Sequence, residues 1–407
     1  MANQPMVVSE QLESIVQSML EDHAERLAVL ATEIWKNPEL NYKEVIAAKL
    51  LTDYLKENGH NTTQPYGGLQ TAFLAQYQTA NFDASKHPTV AVLCEYDALP
   101  EIGHACGHNL IAEAGIGTFI AATKALENSN LQGRVRVVGS PAEEGGGGKV
   151  RLLHAGAFED VDFAMMVHPS PLDILHPPIL AIDHGIAEFH GRASHASLGP
   201  SEGLNALDAV VQAYNNLAML RQQLKPKQQL HMIIAHGGDR PNVIPSYTRM
   251  EYHIRAPTQK DIQQVRAKVA LCFQAAALAT GCQLEQTLDG DSYSALMSNH
   301  TMLSVFKHYQ EKQGTKFPPI PDLAGGSTDM GDVSINIPSI HPGIFVGKPI
   351  MIHTKEFQML AGTPEAHGYV RKAAASMAML TLELLANPLL REKVRAEFAA
   401  SKLTFVG

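Results

Sequence analysis

Apolar residues recur along 9–35 at Leu12, Ile15, Val16, Met19, Leu20, Leu27, Leu30 and Ile34. This three-and-four spacing predicts one amphipathic helix packed on a larger body and ended by Pro38. After a looser stretch the pattern becomes the unbroken run Thr89-Val-Ala-Val-Leu-Cys94, which reads as a strand buried on both faces, as in a parallel sheet. Similar runs follow at Arg134–Val138 and Phe163–Val167, with helical segments at 109–127 and 145–156 between them. Such alternation is that of βαβ units, so the expected class is α/β with a doubly wound, mainly parallel sheet.

The rhythm changes over 185–290. Gly185–His190 alternates like a strand, 203–224 is helical, Gln229–Ala235 and Arg249–Arg255 are strands, 258–280 is a helix and Cys282–Leu288 a last strand. The order β-α-β-β-α-β is that of a ferredoxin-like unit. It is expected as a domain inserted at 185–295 into a larger one made of 1–184 and 296–407. From about 300 the α/β pattern returns, with a strand near Gly343–Val346 and a closing helix at 364–386.

Composition narrows the functions. The chain has 407 residues, 45% of them hydrophobic, enough for one large core or two unequal ones. Lys and Arg number 32 against 41 Asp and Glu, a net charge of −9 with no basic run, so neither nucleic acid nor an anionic membrane is an expected partner. Residues 1–25 hold no Lys or Arg and no long apolar stretch, and no window nears a membrane span, so a cytoplasmic protein is expected. Four scattered cysteines, Cys94, Cys106, Cys272 and Cys282, make neither a disulfide framework nor a four-thiolate zinc knuckle.

Candidate chemistry gathers where ligands collect in open α/β sheets, at the carboxyl ends of strands. Glu95-Tyr-Asp97 and His104-Ala-Cys106-Gly-His108 follow the first buried run, Glu143-Glu144 the second, His168 the third and His353 the late strand. Taken singly each is ordinary. Together they are expected to converge from four edges of one sheet. Thiolate, imidazole and carboxylate are the donors zinc and neighbouring metals take, and five or more exceed the needs of one tetrahedral ion, so a two-metal site is expected. One carboxylate of the adjacent pair can bind metal while the other acts as general base on a water whose pKa the metal lowers from 15.7 to about 7. The reaction implied is hydrolysis of an amide or similar acyl bond. Gly145-Gly-Gly-Gly-Lys149 lacks the first Gly and the Ser/Thr of a phosphate loop, and is expected to give the chain room beside the metals.

With Tyr96-Asp97-Ala-Leu-Pro100, His104-Ala-Cys-Gly-His108, Pro141-Ala-Glu-Glu-Gly145, Ser194-His195-Ala196, Asn242-Val-Ile-Pro245 and His353-Thr-Lys-Glu-Phe357 in view, the chain resembles the aminoacylase-1/carboxypeptidase-G family of dinuclear metallopeptidases over about residues 10–390. Within it the amidohydrolase branch is nearest, around the aminobenzoyl-glutamate hydrolase-like and β-alanyl-lysine-type dipeptidase members. The resemblance implies that Cys106, His108, Glu144, His168 and His353 hold two divalent ions, zinc first with manganese or cobalt as alternatives, that Cys106 can bridge them, and that Glu143 is the general base. It implies that Asp97 orients a ligand histidine, that 185–295 is a lid through which the chain forms homodimers, and that His195 and Asn242 stabilise the oxyanion, often in the partner's site. Arg255, Gly326 and Ser327 match positions lining the substrate cleft. Glu95 and Asn109 depart from the Asp of many branch members. The implied substrate is a small N-acyl amino acid, an aminobenzoyl-glutamate-like conjugate or an unusual dipeptide. The alternatives are an inactive metal-binding scaffold of the same fold and a single-metal deaminase or esterase.

Overall fold

The computed structural model describes residues 6–288, 292–319 and 325–406. The chain divides into two compact units, one of Met1–Pro177, Met297–Leu323 and Asp332–Thr404, the other of Pro178–Leu296, Ala324–Gly331 and Phe405–Gly407.

The first unit opens with two helices where the apolar spacing predicts one. Ser9 caps α1 (Glu10–Asp22) by accepting from the Leu12 N–H, and α2 (Ala24–Lys36) restarts after His23, whose ring is held 2.7 Å from the Tyr54 hydroxyl. Their buried stripes, Leu12, Val16 and Leu20, then Leu27, Leu30 and Ile34, carry on the same periodicity, which is why the break leaves no mark in the pattern. The stretch read as loose contains α3 (Val45–Glu57), β1 (Thr62–Thr63) and β2 (Phe73–Gln78). Next come β3 (Thr89–Glu95), α4 (His108–Glu127), β4 (Arg134–Ser140), α5 (Gly148–His154), β5 (Phe163–Met165) and β6 (His168–Ser170). β3 and β4 are buried along their whole length, β3 as its apolar run predicts and β4 despite Arg134 and Arg136.

The second unit is β7 (Ala181–His190), α6 (Ala206–Leu220), β8 (Gln229–His236), β9 (Tyr247–Ala256), α7 (Gln259–Thr280) and β10 (Gln283–Leu288). Its sheet runs β10-β7-β9-β8 with every pairing antiparallel, the ferredoxin-like arrangement expected from the pattern. Both helices pack on this sheet over a core that includes Phe189, Val210, Leu217, Met250, Ile254, Val265 and Phe273. Gly281, at φ 72°, closes α7 in the left-handed conformation that glycine adopts without strain.

Back in the first unit come α8 (His300–Lys312), α9 (Met330–Asn336), β11 (Ser339–Ile340), β12 (Gly343–Phe345), α10 (Lys355–Ala361), α11 (Pro364–Ala386) and α12 (Pro388–Phe405). Thus 364–386 does not close the chain as expected; another helix follows. The main sheet has the order β1-β2-β4-β3-β5-β11, with β4, β3, β5 and β11 parallel and β2 antiparallel to β4. Helix α4 packs on β3 and β4, and α11 packs on α4 and α8. α11 is buried almost all round from Ala373 to Leu385. Its buried Glu383 accepts hydrogen bonds from the Val7 and Val8 N–H groups and the Tyr309 hydroxyl.

One expectation about the sheet is corrected. His168 does not end a strand of the main sheet: the parallel pair β5–β11 resumes a few residues later as β6–β12, a separate two-stranded sheet that begins at His168. His353 lies in the loop between β12 and α10, not at a strand edge. Two sheets and a loop, rather than four edges of one sheet, therefore deliver the candidate donors.

Candidate metal centre

Three turns set the site's side chains in place. After β3 the chain turns through Gly107, at φ 82°, into α4; a Cβ there would lie 2.9 Å from the Pro169 ring, so only glycine lets Cys106 and His108 sit against β6. After β4 the loop takes a left-handed residue at Ala142, φ 60°, whose N–H donates to the buried Glu44 carboxylate at 3.0 Å, while the Tyr42 hydroxyl donates to the Gly146 carbonyl. This turn presents Glu143 and Glu144. His353 is also left-handed, φ 63°, and its N–H donates to the Ala105 carbonyl at 2.8 Å, tying its loop to the one that carries Cys106.

The five side chains proposed as ligands meet, although they span 247 positions. Cys106 Sγ is 3.4 Å from His168 Nε2 and 3.3 Å from His353 Nε2. Glu144 Oε1 is 3.5 Å from His353 Nε2 and 3.8 Å from His108 Nε2. Glu143 Oε2 is 3.9 Å from the same His108 nitrogen. The donors fall into overlapping triads: Cys106, His108 and His168; Cys106, Glu144 and His353; His108, Glu143 and Glu144. Cys106 belongs to two of them. Cys106, His108 and Glu143 are buried, Glu144 and His168 are partly buried, and His353, whose side chain is 50% exposed, forms the rim.

Hydrogen bonds fix the histidine tautomers. His108 Nδ1 lies 3.0 Å from Asp97 Oδ1, and His168 Nδ1 lies 2.7 Å from the Pro169 carbonyl. Oxygens that only accept draw a proton onto Nδ1, which turns each Nε2 toward the site. Asp97 uses its second oxygen to accept the Glu144 N–H at 2.9 Å, so one carboxylate orients a histidine and the turn bearing the glutamates. Burial would raise Asp97, but His108 and that N–H hold it below the usual carboxylate range. Burial pushes His168 down to about 4, which keeps it a neutral imidazole, and pushes the Cys106 thiol well up, with the Glu144 charge adding to the effect.

The residues present fit divalent cations. His108 Nε2 and Glu144 Oε1 are buried with no hydrogen-bond partner, an arrangement that costs several kcal/mol unless a cation answers it. Donors on one tetrahedral zinc lie about 3.3–3.6 Å apart, and the shortest separations here are 3.3–3.5 Å. Asp97, Glu143 and Glu144 bring three carboxylates, and a Cys106 thiolate formed on metal binding would add a fourth charge for two divalent ions to balance.

In the second unit two other groupings form. Ala196 N–H donates to the Asn242 carbonyl at 3.1 Å and His195 bridges Val243, so the Ser194-His195-Ala196 and Asn242-Val-Ile-Pro245 motifs lie side by side. His195 Nδ1 accepts the Ser197 and Leu198 N–H groups, both at 3.3 Å, which leaves the ring proton on Nε2 of an exposed imidazole. Arg255 donates to Ser327 Oγ at 2.9 Å, next to Gly326, whose carbonyl accepts the Leu180 N–H.

His104, read with Cys106 and His108 as part of the converging set, belongs to none of the metal-capable triads, and burial holds it at about 4. Other residues escaped the sequence reading. His341, between β11 and β12, is wholly buried with its ring 5.5 Å from that of His168. Lys149 is wholly buried and paired with Glu95, so it does more than end a glycine run. A lysine inside an otherwise buried segment was the available signal; Glu44 and His341 had none, because their partners are remote in sequence.

Residues 182–280 match the family model described as a peptidase dimerisation domain. Xaa-Arg dipeptidase of Mus musculus is 42% identical over 388 residues, 93% of this chain and 90% of that protein. The chain belongs to the M20 peptidase family. One of the p-aminobenzoyl-glutamate hydrolase subunits of Escherichia coli is 28% identical, with 94% of each chain covered. In fold, this M20 peptidase is similar to the crystal structure of a dinuclear metal binding peptidase of the same family from Bacillus subtilis, with TM-score 0.66 and 20% identity over 89% of this chain and 99% of that one. The resemblance read from the motifs is thereby borne out, and the protein is an enzyme, a hydrolase of the dipeptidase and amidohydrolase kind. No single helix among the described residues is long and apolar enough to cross a membrane, and all four cysteines are free.

Proposed function

We propose that this M20 peptidase hydrolyses the amide bond of small dipeptides, with Cys106, His108, Glu144, His168 and His353 holding two divalent ions and Glu143 as general acid and base. The observation that carries this reading is the convergence of thiol, imidazole and carboxylate donor atoms at metal-ligand spacing, with His108 Nε2 and Glu144 Oε1 buried and without a hydrogen-bond partner. The chemistry supplied by bound divalent ions is polarisation of the scissile carbonyl and acidification of water. Glu143 removes the proton from the attacking water and delivers it to the departing amide nitrogen. Asp97 holds His108 and the Glu144 backbone in register. His195 donates its Nε2 proton to the developing oxyanion, with Asn242 beside it, while Arg255, Ser327 and Gly326 contact the substrate. The domain at 182–280 pairs two chains into a homodimer. Among substrates, dipeptides ending in arginine come first, because the protein 42% identical over most of the chain bears the name Xaa-Arg dipeptidase.

The test is a turnover screen of the metal-loaded enzyme on dipeptides ending in Arg, Lys or Glu, on β-alanyl dipeptides, on N-acyl amino acids and on aminobenzoyl-glutamate, with metal counted per chain. Arginine-ending dipeptides should show the highest kcat/KM. Glu143→Ala should lose about 10²-fold or more in turnover, of the order general acid–base catalysis supplies, and keep its metal. Undiminished turnover in that variant refutes the assignment, and one ion per chain refutes the dinuclear reading.

A further inference from the structure

Glu95 closes β3 with its side chain wholly buried, and its two carboxylate oxygens meet different surroundings. Oε1 accepts from the ammonium of Lys149, itself wholly buried at the start of α5. Oε2 has no hydrogen-bond partner and lies 3.5 Å from His108 Nε2. Asp97 occupies Nδ1 of that ring, so its Nε2 and a carboxylate oxygen face each other inside the protein. Neither atom has a hydrogen-bond partner, and in a low-dielectric interior a cation between them would satisfy both. Lys149 does not fill that gap, because it sits on the other oxygen. The 3.5 Å separation is the spacing of two donors on one ion, about 3.4 Å for nitrogen and oxygen on a tetrahedral zinc.

We propose that Glu95 is a sixth protein donor of the dinuclear centre, serving the cation that His108 holds, and that Lys149 is its buried counter-charge, fixing which oxygen faces the metal. The inference rests on the reading of this cluster as a metal centre. The pair sits beneath the site: β3 supplies the carboxylate, and the helix after the glycine run reaches back with the ammonium. The glycines have a geometric reason, since a Cβ on Gly148 would meet the Pro141 carbonyl and hold α5 away from β3. A carboxylate added to a thiolate and imidazole set makes the His108 side harder, so manganese and cobalt compete better there than donor counting from the other five residues predicts.

Metal affinity of the full-length protein, measured by chelator competition with zinc and with manganese and by elemental analysis, tests this. Wild type should bind two ions per chain. Glu95→Gln and Lys149→Met should each weaken one of the two about 10- to 100-fold while leaving the other unchanged, with circular dichroism confirming the fold. A crystal structure of the wild-type protein soaked with zinc gives a second reading that needs no variant: a Glu95 oxygen about 2.0–2.2 Å from one ion is expected. Unchanged affinities in Glu95→Gln, or Glu95 more than about 3 Å from both ions, overturns the proposal. Cys106→Ala and His168→Ala separate the two levels of argument. If they shed metal while Glu95→Gln does not, only the sixth donor falls; if they also retain both ions, the metal centre falls with it.

Discussion

Asp97→Asn removes one charge without changing size, and the structure sets what should follow. Both oxygens of Asp97 accept from donors that have no alternative partner: His108 Nδ1–H at 3.0 Å and Glu144 N–H at 2.9 Å. An asparagine offers one accepting oxygen, so its amide NH2 must face one of the two donors. Loss of a hydrogen bond to a charged group costs about 1.5–3 kcal/mol, which converts to a 10- to 150-fold change in an equilibrium at about 1.4 kcal/mol per decade. That agrees with the 10- to 100-fold loss of metal affinity typical when a group orienting a ligand is replaced. Metal dissociation constants from chelator competition should therefore rise 10-fold or more for Asp97→Asn, with the far-ultraviolet circular dichroism unchanged. Activity should recover in part at high metal concentration, because the donors remain and only their orientation is lost. An affinity within twofold of wild type would refute the orienting role.

Two further outcomes follow from the same geometry. If His195 serves the partner subunit, mixing His195→Ala with Glu143→Ala chains should restore about a quarter of wild-type activity, since half the dimers are mixed and each holds one intact site; no recovery in a verified heterodimer rules sharing out. Burial, with His168 nearby, pushes His341 down to about 3 from its ordinary 6.5, so in acid the unfolded chain takes up a proton that the native chain refuses. Stability should thus fall as pH drops below 6.5, by about 2 kcal/mol at pH 5 from this group alone. Urea unfolding of metal-free protein at pH 7.5 and pH 5 measures it, and His341→Asn should flatten the slope; an unaltered slope contradicts the account.

The parallel strands, the ferredoxin-like insertion and the clustered motifs were legible because each writes a strong local pattern: β3 is a nearly continuous apolar run, β4 carries Val135, Val137 and Val138, and β7 alternates. Helix α3 and strand β2 were not legible. In β2 the inward residues, Phe73 and Ala75, are few, and in α3 the exposed Val45 and Ile46 blur a stripe made by Ala47, Ala48, Leu51, Tyr54 and Leu55. The break at His23 leaves the apolar stripe intact and was invisible for that reason. At the site, Cys106, His108, Glu143, Glu144, His168 and His353 stood out by chemistry and by place after strands. Which sheet carried His168 did not, since the detachment of β6–β12 depends on pairing between segments far apart in sequence. Glu44 was hidden likewise: its partners, Thr71 and Ala142, become neighbours only once the loops fold together.

The bond between the His353 backbone and Ala105 carries a consequence for biogenesis. In the proposed ligand set the last donor is made 247 residues after the thiol it joins, so a ribosome must complete nearly the whole first unit, with the second inserted in its sequence, before the centre could close. In small zinc modules a nearby pair of ligands lets the ion organise the chain. In the proposed centre the polypeptide would have to build the receptacle first, and the cation would arrive as a late guest.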